Sequence, residues 1–318
     1  MYTEMPFSEP SVADWFALRC SWRCGHRCYL SHDALRLGPQ HRPDSISHGI
    51  SRRARVQPRL GTLDAEILVE NRTRPQSLAM EPGFLLVFDL DGTLVDSVPD
   101  LHAALNEMLR ERGRRPLSPT QVKRMVGDGA PALVAHALAA SGADPAEARA
   151  ALPRFLEIYE ANAANLTRPY PGVPETLRAL RRRGYRTAIC TNKPQRATLA
   201  VLQGLGLLPL FDAIAGGDRF PVRKPDPGHL IALISELGGS REAAAMIGDN
   251  ENDAASARAA AIPLLLMRYG YARVDPDTLA ADAILDHFSD LPGALDRLGL
   301  IPKSENTDRL RAIPRDRP

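Results

Sequence analysis

Val87-Phe88-Asp89-Leu90-Asp91-Gly92-Thr93-Leu94-Val95-Asp96 ends a short apolar run with two carboxylates separated by one residue. In a strand, residues i and i+2 point to the same side. Asp89 and Asp91 therefore leave the sheet together, at the carboxyl edge where open α/β sheets bind ligands. Gly92 permits a sharp turn directly after the pair, and Thr93 adds a hydroxyl. One carboxylate can attack while its neighbour moves a proton, and both can help hold a divalent cation. The arrangement reads as a phosphoryl-transfer head.

Outward from this stretch, strand and helix patterns alternate. Residues 84–89 read as the first strand. Residues 101–111 carry apolar side chains at 101, 105, 108 and 109, a helical spacing that stops before Gly113. Ser118-Pro119-Thr120-Gln121 is a capping box with proline at the first helical position. Helical patterns continue through 130–140 and 145–163, and nothing between about 97 and 168 reads as a strand. Pro171-Gly172-Val173-Pro174 closes that block. Helix 175–183, strand 186–191, helix 196–205, strand 213–215, helix 227–237, strand 244–248, helix 252–260 and strand 263–267 then follow. Strands separated by helices imply a parallel sheet with right-handed crossovers. The expected fold class is α/β, with a Rossmann-like parallel-sheet core at 80–97 and 169–300. An all-helical cap at 98–168 is inserted after its first strand, and 301–318 is expected to be a disordered tail.

Residues 1–79 differ from the rest of the 318-residue chain: they hold three of the four cysteines, both tryptophans and no lysine. They show no sustained period of 2 or 3.6. The expectation is a poorly structured extension, with natural translation starting at Met80; the competing reading is a disordered or regulatory arm. Cys20, Cys24 and Cys28 near His26 recur at regular three-residue gaps, unlike the paired Cys-x-x-Cys spacing of zinc sites. Cys190 lies in an apolar strand pattern and reads as a buried, reduced core residue, which suggests a reducing cytoplasm. A charged fraction of 25% and an apolar fraction of 44% are ordinary for a soluble globular protein. The net charge of +2 gives no electrostatic case for nucleic acid. No run approaches the ~18 apolar residues that span a bilayer. Glu4, Glu9 and Asp14 fit neither a secretory signal nor a transit peptide.

Three later segments add chemistry. Ile189-Cys190-Thr191-Asn192-Lys193-Pro194 ends a strand in a hydroxyl before a helix start, a setting that suits phosphate. Val222-Arg223-Lys224-Pro225-Asp226-Pro227 fixes Lys224 in a proline-stiffened turn, where a cation can balance phosphate and carboxylates. Met246-Ile247-Gly248-Asp249-Asn250-Glu251-Asn252-Asp253 brings Asp249 to the same edge, with Asp253 one helical turn later. Such hard oxygen donors suit Mg2+. Taken singly, each has a structural reading: a hydroxyl at a strand end, an exposed turn lysine, or an aspartate capping a helix.

In this order, Asp89-x-Asp91-Gly92-Thr93, Thr191, Lys224 and Gly248-Asp249-x-x-x-Asp253 resemble the four motifs of the haloacid dehalogenase superfamily. The helical insert resembles that family's cap. Val98-Pro99-Asp100-Leu101, Val126-Gly127-Asp128-Gly129-Ala130 and Gly216-Gly217-Asp218 further resemble its phosphoglycolate phosphatase branch. The resemblance implies Asp89 as nucleophile, Asp91 as acid and base, and Mg2+ held by the Asp89 carboxylate, the Asp91 carbonyl and Asp249. It implies Thr191 and the Asn192 backbone as phosphate binders, Lys224 as the neutralising cation, and Asp253 orienting metal-bound water. Dehalogenases of the superfamily lack the second Asp, so the acid at 91 argues for phosphate esters.

The expected reaction is hydrolysis of a small phosphorylated metabolite, 2-phosphoglycolate first. Pyrophosphate, sugar phosphates, phosphomutase action or a non-catalytic binding role are the alternatives. His136 stands where an arginine is expected in many relatives, and reads as a surface helix residue. Nothing in the sequence specifies an oligomeric state.

Overall fold

The computed structural model describes residues 83–302. The expectations for residues 1–79, including the Cys20, Cys24, Cys28 and His26 group, and for the tail beyond 302 lie outside the described residues.

The first strand, β1 (Leu85–Phe88), is buried along its whole length, as a central strand of a parallel sheet must be. After it come β2 (Val95–Asp96), α1 (Val98–Glu111), α2 (Pro119–Lys123), α3 (Ala130–Ala140), α4 (Ala148–Asn162) and β3 (Arg168–Pro169). The second half runs α5 (Val173–Arg182), β4 (Arg186–Cys190), α6 (Gln195–Gly204), β5 (Ala213–Ala215), α7 (Pro227–Glu236) and β6 (Ala244–Gly248). It closes with α8 (Glu251–Ala260), β7 (Leu264–Met267), β8 (Ala283–Leu285) and α9 (Leu291–Arg297). The sheet order is β5-β4-β1-β6-β7-β8, every pairing parallel. The chain builds outward from β1 in one direction and then returns to build in the other. This is the doubly wound Rossmann order, whose switch point beside β1 opens a ligand crevice at the carboxyl ends of the strands.

Alternation along β1 divides the core. Leu86 and Phe88 join the cluster that runs on into the cap through Leu105, Leu133 and Phe155. Leu85 and Val87 face the other side, under Leu230 and Leu233 of α7 and Ala254 and Ala257 of α8. A period of two thus buries both faces.

The expected α/β class holds, and several elements add to it. β8 and α9 extend the core beyond the last strand read from the sequence. The helix expected over 145–163 begins as a 3₁₀ turn, Pro145–Glu147, because the Asp144 carboxylate accepts from the Ala146 N–H at 2.9 Å and caps it separately. β2 and β3 form a two-residue antiparallel pair, Val95 opposite Pro169 and Asp96 opposite Arg168, at the two crossings between cap and core. Asp100, buried, fastens the same place: its carboxylate accepts from the Leu166 N–H at 2.9 Å and from the Thr167 N–H and hydroxyl at 2.7 Å.

Candidate active site

Three parallel strands deliver their next residues to one edge. β1 hands on to Asp89, whose N–H continues the ladder to the Ile247 carbonyl at 2.9 Å. β6 hands on to Asp249 and β4 to Thr191, whose N–H donates to the Ala215 carbonyl at 3.0 Å. Asp249 is fixed from both sides: the Thr93 hydroxyl donates to Oδ1 and the Tyr271 N–H to Oδ2, each at 2.7 Å. The chain passes so close here that a Cβ on Gly92 or Gly270 would overlap the Asp249 side chain. Asp253 Oδ2 accepts from the Asp249 and Asn250 N–H groups at 3.0 and 3.3 Å, while Oδ1 accepts from Lys224 Nζ at 2.6 Å. Lys224 Nζ also stands 3.0 Å from Asp89 Oδ1. Asp89, Asp249 and Asp253 bring carboxylate oxygens within 4.8 Å of one another, all buried.

Every site residue expected from the sequence lies at this edge or borders it, and the Asn192 side chain makes contacts beyond those expected of its backbone. Its side-chain amide donates to the Lys224 carbonyl at 2.8 Å and, across to the cap, to the Gly127 carbonyl at 2.9 Å. Asn252 donates to the same Gly127 carbonyl at 3.2 Å and to Asp128 Oδ1 at 2.7 Å, and Arg273 NH1 pairs with Asp128 Oδ2 at 2.6 Å. The core therefore clasps the loop before α3. Lys193 was given no role by the sequence reading, although it stands next to two residues that were. It is buried, and its Nζ donates to both Asp91 oxygens at 2.9 and 3.0 Å. A lysine in a chain with four of them, between a phosphate-type strand end and a proline, was the available signal. Gly129, Ala130, Leu133 and Tyr159 of the cap close a cavity over Asp89, Asp91 and Thr191. His136 is exposed, as expected of a surface helix residue, and does not line that cavity.

A family model described as haloacid dehalogenase-like hydrolase matches residues 85–261. The chain belongs to the haloacid dehalogenase-like hydrolases. A curated phosphoglycolate phosphatase of Rhodospirillum rubrum is 45% identical over 237 residues, which is 70% of this chain and 98% of the relative. One from Caulobacter vibrioides is 42% identical over 214 residues, 67% of this chain and 90% of the relative. Among solved structures, a predicted phosphoglycolate phosphatase from Haemophilus somnus is 32% identical, with a TM-score of 0.63 over 66% of this chain and 96% of its own.

In this haloacid dehalogenase-like hydrolase the crowded, buried carboxylates hold protons more readily than free ones. Burial raises Asp89 to about 6; Lys224 opposes the rise, and the negative charges of Asp253 and Asp91 add to it. Burial, then Asp253 and Asp89, holds Asp249 well above the usual carboxylate range. Two acceptors are left over. Asp89 Oδ1 is buried and makes no hydrogen bond of normal geometry, despite the nearby ammonium. The bridge between Asp91 and Val95 uses the Leu90 carbonyl (3.1 Å) and the Gly92 N–H (2.9 Å), so the Asp91 carbonyl has no donor among the described residues. Spare hard oxygens beside three acidic groups fit a divalent cation. Asp253 stands beside these groups, holding Lys224 through Oδ1 and the Asp249 and Asn250 N–H groups through Oδ2. No helix among the described residues is long and apolar enough to cross a membrane.

Proposed function

We propose that this hydrolase releases phosphate from 2-phosphoglycolate, giving glycolate through an aspartyl-phosphate on Asp89. One observation carries the reading: a carboxylate nucleophile and a second carboxylic acid two residues on share the floor of a cavity of about 40 Å3. On that measure a water needs ~10–15 Å3, so the small space suits a compact acid ester better than a hexose phosphate. The high identity to curated phosphoglycolate phosphatases, along nearly their whole length, supports the same substrate.

Asp89 attacks phosphorus in line, and Asp91 gives its proton to the departing alkoxide oxygen. Asp91 then takes a proton from the water that hydrolyses the intermediate. The Thr191 hydroxyl and the Asn192 N–H hold phosphate oxygens, and Lys224 offsets the charge gathered around Asp89. Asp253 holds Lys224 and the loop of Asp249 in place. Mg2+ would be held by the Asp89 carboxylate, the Asp91 carbonyl and Asp249, and when bound it supplies the positive charge that lets two anions approach. The cap excludes bulk water. The buried thiol of Cys190 suits work in a reducing cytoplasm.

A phosphate-release screen over phosphoglycolate, pyrophosphate and hexose phosphates, with and without Mg2+, tests the reading. Preference for phosphoglycolate and dependence on Mg2+ are expected. A preference for pyrophosphate or a hexose phosphate would overturn the substrate, and release of no phosphate from any of them would overturn the reaction.

A further inference from the structure

The cap side of the cavity holds polar groups that the phosphoryl chemistry leaves unused. Tyr159 of α4 is 1% exposed, lines the cavity, and its hydroxyl makes no hydrogen bond of normal geometry. A buried hydroxyl without a partner is unfavourable, and a ligand group that satisfies it removes the penalty. Lys193 Nζ lies 4.4 Å from the centroid of the same ring. Two of its three N–H donors go to Asp91, and the third faces Tyr159, so the ammonium and the phenol stand together at the cavity wall. Across the cavity, α3 begins at Gly129 with no side-chain cap, and the Ala130 N–H has no acceptor among the described residues. Ala130, Tyr159 and Lys193 thus line one cavity with the apolar side chains of Leu133 and Phe155.

We propose that Lys193, Tyr159 and the Ala130 N–H form a second anion subsite that binds the carboxylate of the substrate. The assignment rests on the phosphoglycolate reading and deepens it. In that ester one methylene separates the leaving oxygen from the carboxylate carbon. The leaving oxygen must come within hydrogen-bond reach of Asp91 to receive its proton. A carboxylate one methylene away then falls next to the ammonium that Asp91 already holds. Burial raises the Tyr159 phenol to about 12, with Lys193 pulling the other way, so it remains an O–H donor at neutral pH. The low polarity of the walls strengthens pairing with a charged ligand. Lys193 is here a specificity-determining residue as well as the partner of Asp91. The two roles differ in one respect, whether its effect depends on the substrate's own charge.

Steady-state kinetics of the full chain with Mg2+ on phosphoglycolate and on ethyl phosphate separates them, because ethyl phosphate keeps the leaving oxygen and lacks the carboxylate. Tyr159→Phe and Lys193→Met are each expected to lower the ratio of kcat/KM for phosphoglycolate over ethyl phosphate by at least about tenfold, the scale of a hydrogen bond to a charged group. The phosphoglycolate loss in Tyr159→Phe is expected chiefly in KM. Equal losses on both esters would overturn the subsite and leave Lys193 as a positioning residue for Asp91. If Lys193→Met does not fold, Tyr159→Phe alone decides. A wild-type chain no better on phosphoglycolate than on ethyl phosphate would overturn the substrate reading itself, whereas a wild-type preference that survives both substitutions would overturn the subsite alone.

Discussion

Lys224 Nζ donates to Asp253 Oδ1 at 2.6 Å, with the lysine side chain 2% exposed and the aspartate 0% exposed. The pair sits where the turn before α7 meets the first turn of α8, and from there the ammonium reaches Asp89. Burial alone would discharge a lysine, yet the charges of Asp253 and Asp89 outweigh it and hold Lys224 above its usual range. The site is thus a network of buried charges, and its members depend on one another.

Lys224→Met should therefore destabilise the cation-free protein by about 3–5 kcal/mol, the usual effect of removing one partner from a buried pair. Urea unfolding measures the change, and added Mg2+ should recover part of it by binding the folded state. A change under about 1 kcal/mol would contradict the network.

Asp89→Asn removes the proposed nucleophile and one of three crowded carboxylates. Phosphate release should stop, while the urea midpoint of the cation-free protein stays level or rises. Turnover that persists in the purified variant would exclude Asp89 as the attacking group.

Metal binding should weaken as pH falls through about 6, where the buried Asp89 carboxyl takes up a proton. For the cation-free fold the sign is opposite. Its carboxyl keeps a proton that the unfolded chain, near 3.8, has lost, so stability falls as pH rises between those two values. Melting curves at pH 5 and 7.5, with and without Mg2+, read both effects; a Mg2+ shift equal at the two pH values would refute the assignment.

His229 of α7 is fully buried against Phe220, and neither ring nitrogen makes a hydrogen bond of normal geometry. Burial, with the Lys224 charge adding, lowers it to about 4 from 6.5. The unfolded chain binds the extra proton across that window, so His229 costs stability as pH falls from 6.5 towards 4 and nothing above it. His229→Leu should flatten the melting temperature between pH 4 and 6.5 relative to wild type. Parallel profiles would show that another group governs acid unfolding.

Arg273→Ala loosens the clasp on Asp128. The pair is about one-third exposed, so unfolding free energy should change by less than ~1 kcal/mol. KM should rise several-fold, and amide exchange over residues 126–130 should quicken, because cap closure loses a core contact. Unchanged exchange there would show that Asn192 and Asn252 suffice.

The sequence by itself determined the α/β class and picked out the residues that meet at the sheet edge. Periodicity and capping are local, and Asp89, Thr191, Lys224 and Asp249 each announce themselves at a strand end or a proline-fixed turn within a few residues. The capping box at Ser118 and the strands 213–215 and 244–248 were legible for the same reason. β8, the two-residue β2–β3 pair and α9 were not, since such short elements gain their order from neighbours already in place. Tertiary structure alone decided which strand ends meet and how the cap meets the core. Lys193 and Asp91 are 102 residues apart in sequence and Asn192 and Gly127 are 65 apart, yet each pair shares a hydrogen bond. The first depends on which strand ends lie side by side and the second on how the helices of the cap settle over the sheet edge, and no local pattern encodes either packing. The paired carboxylates could be read along the chain, while the donors that surround them could be found only across the fold.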